Sequence, residues 1–268
     1  MIKEQIQTSL GSMAVAISRS PNPKGTLTFW PGMFFDGTMW DPILEAFIPD
    51  YNILVIDPPG HGGSDAPQKL FSIKDCSVAL REILDHHALP SCTIVGLSWG
   101  GFVAQSFCKH FADRCDGLIL MNTCASGPKT SEKIMFSIIP RLLARFGVKN
   151  FEGALTKALL SKSAAEDDHM LVSKLRNYLH LLDYKALKPV LFSVMKYRED
   201  LSDCLNGRNI PCLVIYGDQD PAMDAARSEH LLSRMPSQAS VTKLPVGHNA
   251  VLEAPEDVAA TMQRFLYA

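Results

Sequence analysis

The stretch Thr93-Ile94-Val95-Gly96-Leu97-Ser98-Trp99-Gly100-Gly101 constrains this chain more than any other. Apolar, β-branched residues lead in and an apolar helical pattern leads out. The spacing predicts a strand that turns abruptly into a helix. The middle residue of such a turn sits on a tight, strained corner, and only small neighbours fit beside it. Gly96 and Gly100 flank Ser98, and Gly101 lets the helix pack close. The corner lifts the Ser98 hydroxyl above the sheet. It also sets the Trp99 backbone N–H at a helix N-terminus, where negative charge is favoured. An idle serine in a glycine-rich turn would carry the same residues. The rest of the chain must supply a base, an acid to orient it and a second N–H donor.

Strand patterns alternate with helical ones on both sides of this turn. Residues 6–9 and 13–17 read as strands joined by a turn at Leu10-Gly11-Ser12. Residues 27–30, 53–56 and 118–121 are short buried strands, and 72–86 and 99–110 carry helical spacing. Such βαβ units imply a parallel sheet covered on both faces. The alternation stops near Thr123. From 123 to 206 the pattern is helical, over 134–145, 151–160, 166–182 and 186–197, with breaks expected at Pro140, Gly147 and Pro189. Strand pattern returns at 212–216 and 241–244, with a helix near 225–233 between them and a last helix from Pro255. The expected organisation is an α/β core from 1–122 and 207–268, with 123–206 inserted as a helical cap. The cap span holds 13 Lys+Arg against 9 Asp+Glu, a surplus of about four positive charges in a chain of net charge −2. A solvated helix surface accounts for that surplus; a mild pull on anionic substrates is the alternative.

A serine hydroxyl is a poor nucleophile until a base within hydrogen-bond reach takes its proton. Histidine suits the task because its pKa lies near operating pH, and a carboxylate must then hold its tautomer. On a strand-turn-helix serine the order is Ser, acid, His, each after the carboxyl end of a strand. Ser98, Asp220 and His248 meet both conditions. Of the eight histidines, only His248 lies in a loop after the terminal strand. His61 sits in a Pro/Gly loop, where a structural role is expected; His86, His87, His110 and His230 fall on core helices, and His169 and His180 in the cap. Asp218 is two residues from Asp220 and competes with it. Asp220 is preferred because it lies further out and precedes Pro221, leaving Asp218 to cap the turn. The second N–H of an oxyanion hole is expected from Met33 in the loop Pro31-Gly32-Met33-Phe34-Phe35-Asp36, with Trp99 as the first. Phe34, Phe35, Trp99, Phe136, Leu143 and Phe192 are candidates to line a substrate pocket, and Phe146 and Met195 are further apolar cap residues.

At 268 residues the chain buries roughly 75% of its unfolded surface and needs no staple. The seven cysteines form no Cys-x-x-Cys pair, and Cys92, Cys108 and Cys212 sit in apolar runs, so they read as buried thiols of a reduced, cytoplasmic protein without zinc. The near-neutral charge argues against a nucleic-acid partner. No signal peptide and no bilayer-length apolar run is apparent.

Together with Asp57-Pro58-Pro59-Gly60-His61-Gly62-Gly63-Ser64-Asp65, the ordered Ser98, Asp220 and His248 resemble the α/β-hydrolase family. Gly96-Leu97-Ser98-Trp99-Gly100-Gly101 and the run from Gly247 to Glu256 are similar to its 3-oxoadipate enol-lactonase and small serine esterase branch. The resemblance implies a mostly parallel sheet flanked by helices with an inserted cap, an acyl-serine intermediate hydrolysed by water, no cofactor, and a small ester or lactone as substrate. Cleavage of a carbon–carbon bond on the same triad, and a non-catalytic small-molecule receptor, are the alternatives. The sequence departs from the patterns of the family in places that bear on the site. Pro31-Gly32 stands where His-Gly usually opens the oxyanion loop, which keeps the backbone donor but removes the loop's usual support. Asn249-Ala250-Val251 lacks the aromatic residue that carbon–carbon hydrolases carry after the histidine. Ser98 stands where epoxide hydrolases and haloalkane dehalogenases have Asp.

Overall fold

The computed structural model describes residues 1–236 and 238–268. Eight strands form one sheet: β1 (Ile2–Thr8), β2 (Gly11–Ser18), β3 (Thr26–Trp30), β4 (Asn52–Ile56), β5 (Cys92–Leu97), β6 (Cys115–Met121), β7 (Cys212–Gly217) and β8 (Ser240–Leu244). Their order is β1-β2-β4-β3-β5-β6-β7-β8. The β1–β2 and β2–β4 pairs are antiparallel and the others are parallel. The predicted mostly parallel sheet is therefore present. Its central strands β3, β4 and β5 are almost wholly buried, which is why they read as continuous apolar runs. Edge strand β1 is largely exposed and buries only Ile6.

The core helices are α1 (Asp41–Leu44), α2 (Ile73–His86) and α3 (Trp99–His110). Ser72 and Asp75 start α2 with reciprocal side-chain-to-backbone bonds, which satisfy two otherwise orphaned N–H groups. Beyond β6 come α4 (Thr130–Phe146), α5 (Glu152–Leu159), α6 (Lys162–Asp167), α7 (His169–His180) and α8 (Lys188–Leu191), which runs on into a π-helical turn, Phe192–Lys196. After β7 the chain adds α9 (Ala225–Leu232), then β8, α10 (Ala250–Glu253) and α11 (Pro255–Leu266).

Three boundaries in the helical span differ from those expected. Pro140 does not break its helix. It lies inside α4, which continues to Phe146 and stops at Gly147, whose φ of +69° ends it. Pro140 and Leu143 are the buried residues of α4, so apolar burial offsets the hydrogen bond that the proline removes. The single helix expected over 166–182 is two. The chain turns at Asp168, whose carboxylate accepts from the Leu171 N–H at 2.8 Å and starts α7. Pro189 does not interrupt a helix but sits in the first turn of α8, where its missing N–H costs nothing.

Candidate active site

Ser98 occupies the corner between β5 and α3 with φ +53° and ψ −107°. Such a backbone costs of order 1–3 kcal/mol in a non-glycine residue and persists only where the surroundings hold it. They do so from several sides. The Ser98 N–H donates to the Met121 carbonyl at 2.9 Å, and the Thr123 hydroxyl donates to the Ser98 carbonyl at 2.8 Å. Buried Gln105 donates to the carbonyls of Gly101 and Cys124, both at 3.0 Å. The glycines are a matter of space. A Cβ on Gly96 would lie 2.2 Å from the carbonyl carbon of Gly100, and one on Gly100 would lie 1.9 Å from the Trp30 carbonyl oxygen.

Two loops at strand ends bring the acid and the base together. His248 follows β8 and Asp220 follows β7, and His248 Nδ1 lies 2.8 Å from Asp220 Oδ2 with both side chains buried. Asp220 is braced further. Its Oδ2 accepts from Asn122 Nδ2 at 3.0 Å, and its Oδ1 accepts from the N–H groups of Ala222 and Met223 at 2.8 and 2.9 Å. Burial alone would raise the Asp220 pKa. The facing histidine and these donors outweigh it and hold the carboxyl below its ordinary range. Asn122 also donates to the Gly247 carbonyl at 3.0 Å, so one amide ties the acid to the histidine loop. Asp218 is elsewhere: it is exposed, 3.7 Å from Lys243.

The loop after β3 lies opposite. Among the described residues, neither the Met33 nor the Trp99 N–H has a protein acceptor. The next N–H, that of Phe34, donates to Nε2 of buried His61 at 3.1 Å, and Phe34 takes φ +77°. The other ring nitrogen of His61 faces the Pro59 carbonyl at 3.0 Å, so the proton resides on Nδ1. Burial pushes the His61 pKa down to about 4, and the ring stays a neutral acceptor. Pro31 therefore does not leave the loop unsupported.

Ser98 and His248 face one cavity of about 410 Å³. Its walls include the expected Met33, Phe34, Phe35, Trp99, Phe136 and Leu143, and also Met195. Phe192 does not line it. It opens the π turn with its ring against Arg141, 5.0 Å from the guanidinium, while Val194 and Met195 of the same turn take the cavity side. Phe146, at the end of α4, is 57% exposed and likewise lies outside. Arg198, Arg227 and Glu132 line the cavity without having been expected there. Arg227 and Glu132 form a paired contact, Nη2 being 2.7 and 2.6 Å from the two carboxylate oxygens. Among the described residues, no histidine other than His248 lines the cavity. Glu4, His86 and His87 bring potential metal-ligand atoms within 4.8 Å of one another, but none of them touches this cavity.

Besides Arg198, Arg227 and Glu132, Asn122 is a polar residue that sequence reasoning passed over, while His61 has the kind of structural role expected of it but with a partner, Phe34, that the sequence did not point to. Asn122 directly follows β6, a strand-end position at which polar residues collect in this topology. Its positive φ of 44° is a tolerance asparagine has and most residues lack. The residue type at the strand end was the available signal.

Comparison with known proteins identifies the family to which this fold belongs. Residues 26–255 match the family model described as alpha/beta hydrolase fold, and the chain belongs to that family. It is similar to 3-oxoadipate enol-lactonase 2 of Acinetobacter baylyi, 26% identical over 232 residues and covering 85% of each chain. Among solved structures it is similar to a thermophilic esterase from Thermogutta terrifontis (TM-score 0.89, 22% identity, covering 100% of this chain and 98% of that one). It is also similar to the enol-lactonase of Burkholderia xenovorans (TM-score 0.88, 20% identity, covering 99% and 100%). At those identities the two structures speak to the fold. Among the described residues no helix is long and apolar enough to cross a membrane.

Proposed function

We propose that this protein is a serine hydrolase of small carboxylic esters or lactones. The observation that carries the reading is the buried 2.8 Å pair of Asp220 and His248 at the same cavity as Ser98 on its strained turn. Asp220 fixes His248 as the Nδ1–H tautomer and leaves Nε2 free to take the Ser98 proton. Ser98 Oγ attacks the ester carbonyl carbon. The carbonyl oxygen gains negative charge and is held by the N–H groups of Met33 and Trp99. His248 then passes its proton to the departing alkoxide, leaving an acyl-Ser98. Water, deprotonated by His248, attacks the acyl carbon, and Ser98 leaves with the proton returned to it. In a lactone the leaving oxygen stays attached, and a hydroxy acid is released. The span 123–206 acts as the cap, and its apolar side chains form one side of the cavity around the acyl chain. Enol-lactonases and esterases among the relatives support this class of bond.

Short p-nitrophenyl esters test it. Hydrolysis by the wild type and a fall in kcat of about 10⁶ in Ser98→Ala are the expected results. Undiminished hydrolysis by that variant would refute the acyl-serine mechanism, and tight binding without turnover across an ester and lactone panel would favour a receptor.

A further inference from the structure

The two cavity-lining arginines differ in a way that the hydrolase reading leaves unused. Arg227 is neutralised by Glu132. Arg198 is 7% exposed, and among the described residues it has no carboxylate partner. Its Nη2 donates to the Ser126 carbonyl at 3.0 Å and lies 3.5 Å from Cys124 Sγ. Its remaining donors have no protein acceptor among the described residues, and the residue lines the cavity. The nearby Glu132 carboxylate acts on it only at longer range and is already paired with Arg227, and a buried cation without a close partner of its own is costly. The guanidinium carbon sits over Phe102, 4.4 Å from the ring centroid. The neighbouring walls, Met135, Phe136, Ile139 and Leu155, are apolar.

We infer that Arg198 is a specificity-determining residue that pairs with a carboxylate on the substrate, so that the preferred substrates are anionic esters or lactones. This rests on the hydrolase reading of the same cavity and adds the substrate's charge to it. A planar guanidinium with free donors matches a carboxylate in shape as well as in charge. Phe102, against which Arg198 packs, lies on α3, the helix that Ser98 begins, so one element holds both the reacting hydroxyl and the guanidinium's support. The positive surplus of 123–206 acts in the same direction at longer range.

The test compares p-nitrophenyl hemiglutarate and hemiadipate with esters of equal length in which an isopropyl group replaces the carboxylate, after subtraction of uncatalysed hydrolysis. The wild type has the higher kcat/KM on the anionic esters. Arg198→Gln lowers that preference about 10- to 100-fold, mainly through KM, and Arg198→Lys restores part of it. A wild type without the preference overturns the proposal whatever the variants do. An equal fall on both ester classes in Arg198→Gln also overturns it, making Arg198 a brace for the Cys124–Ser126 turn while the hydrolase reading stands. Should no ester be cleaved in a Ser98-dependent way, the hydrolase reading fails, and free glutarate decides the anion site alone. The proposal then requires glutarate to raise the Tm of the wild type and not of Arg198→Gln, and no shift in the wild type refutes it.

Discussion

His61 Nε2 accepts the hydrogen bond of the Phe34 backbone N–H, 3.1 Å away. The same ring packs 5.8 Å from that of Trp99, between centroids. One neutral imidazole thus steadies the residue next to one proposed oxyanion donor and the side chain of the other. The loop beginning at Pro31 is held by a residue of a different loop, the one that turns through Pro58, Pro59 and Gly60.

His61→Ala removes the acceptor and leaves the Phe34 N–H buried and unpaired. The Met33 donor then loses its fixed aim. We expect kcat on a p-nitrophenyl ester to fall about 10- to 100-fold with little change in KM, because the N–H is needed most when the oxyanion forms. A fall confined to KM would place His61 in substrate binding instead.

The buried His61 also predicts a pH dependence of stability. Burial lowers its pKa from 6.5 to about 4 in the folded chain. Between these values the unfolded chain takes up a proton that the folded chain refuses. Stability is therefore full above pH 6.5, falls as pH drops toward 4 and changes no further from this group below that. The loss by pH 4.5 is about 2–3 kcal/mol. Urea unfolding at pH 7 and pH 4.5 measures it, and the difference shrinks in His61→Gln. The depressed carboxyl of Asp220 acts in a separate window, losing its contribution as pH falls below its ordinary value of 3.8.

The acid assignment has its own test. Asp220→Asn removes the charge behind His248 and is expected to lower kcat about 10⁴-fold. Asp218→Asn breaks only an exposed pair with Lys243 and leaves kcat within about twofold. Asn122→Leu removes the amide between Asp220 and the Gly247 carbonyl, and a loss of about tenfold is expected. A crippled Asp218→Asn with an active Asp220→Asn would reverse the assignment.

Local chemistry made the sheet and the serine turn legible. Buried parallel strands announce themselves as apolar runs, and the crowding at Gly96 and Gly100 admits no other residue. The order of Ser98, Asp220 and His248 along the chain was legible too, since each follows a strand end. The helical span was less so. Pro140 reads as a break, but the burial of Pro140 and Leu143 decides, and the split at Asp168 depends on a single capping bond. Phe192 has the same apolar character as Met195, and only the wider π turn sends one toward Arg141 and the other toward the cavity. His61 and Asn122 act through partners 27 and 98 residues distant, relationships no local pattern carries.

The crowding at the serine turn can be measured against an uncrowded glycine. In Gly100→Ala the new Cβ meets a backbone atom, the Trp30 carbonyl oxygen at 1.9 Å, and no rotamer relieves it. Either β3 or the first turn of α3 must move, and both hold proposed oxyanion donors or their supports. We expect a loss above about 4 kcal/mol, or no soluble protein, which is the range reserved for disrupted cores. Gly153 is exposed in the first turn of α5, with nothing within 4 Å of its Cβ position. Gly153→Ala only restricts the unfolded chain and favours the helix, so it stabilises by about 0.5–1 kcal/mol. Chemical denaturation of the two variants separates the cases. Equal, small effects would mean that the strand-to-helix corner is looser than its geometry implies, and with it the placement of Ser98.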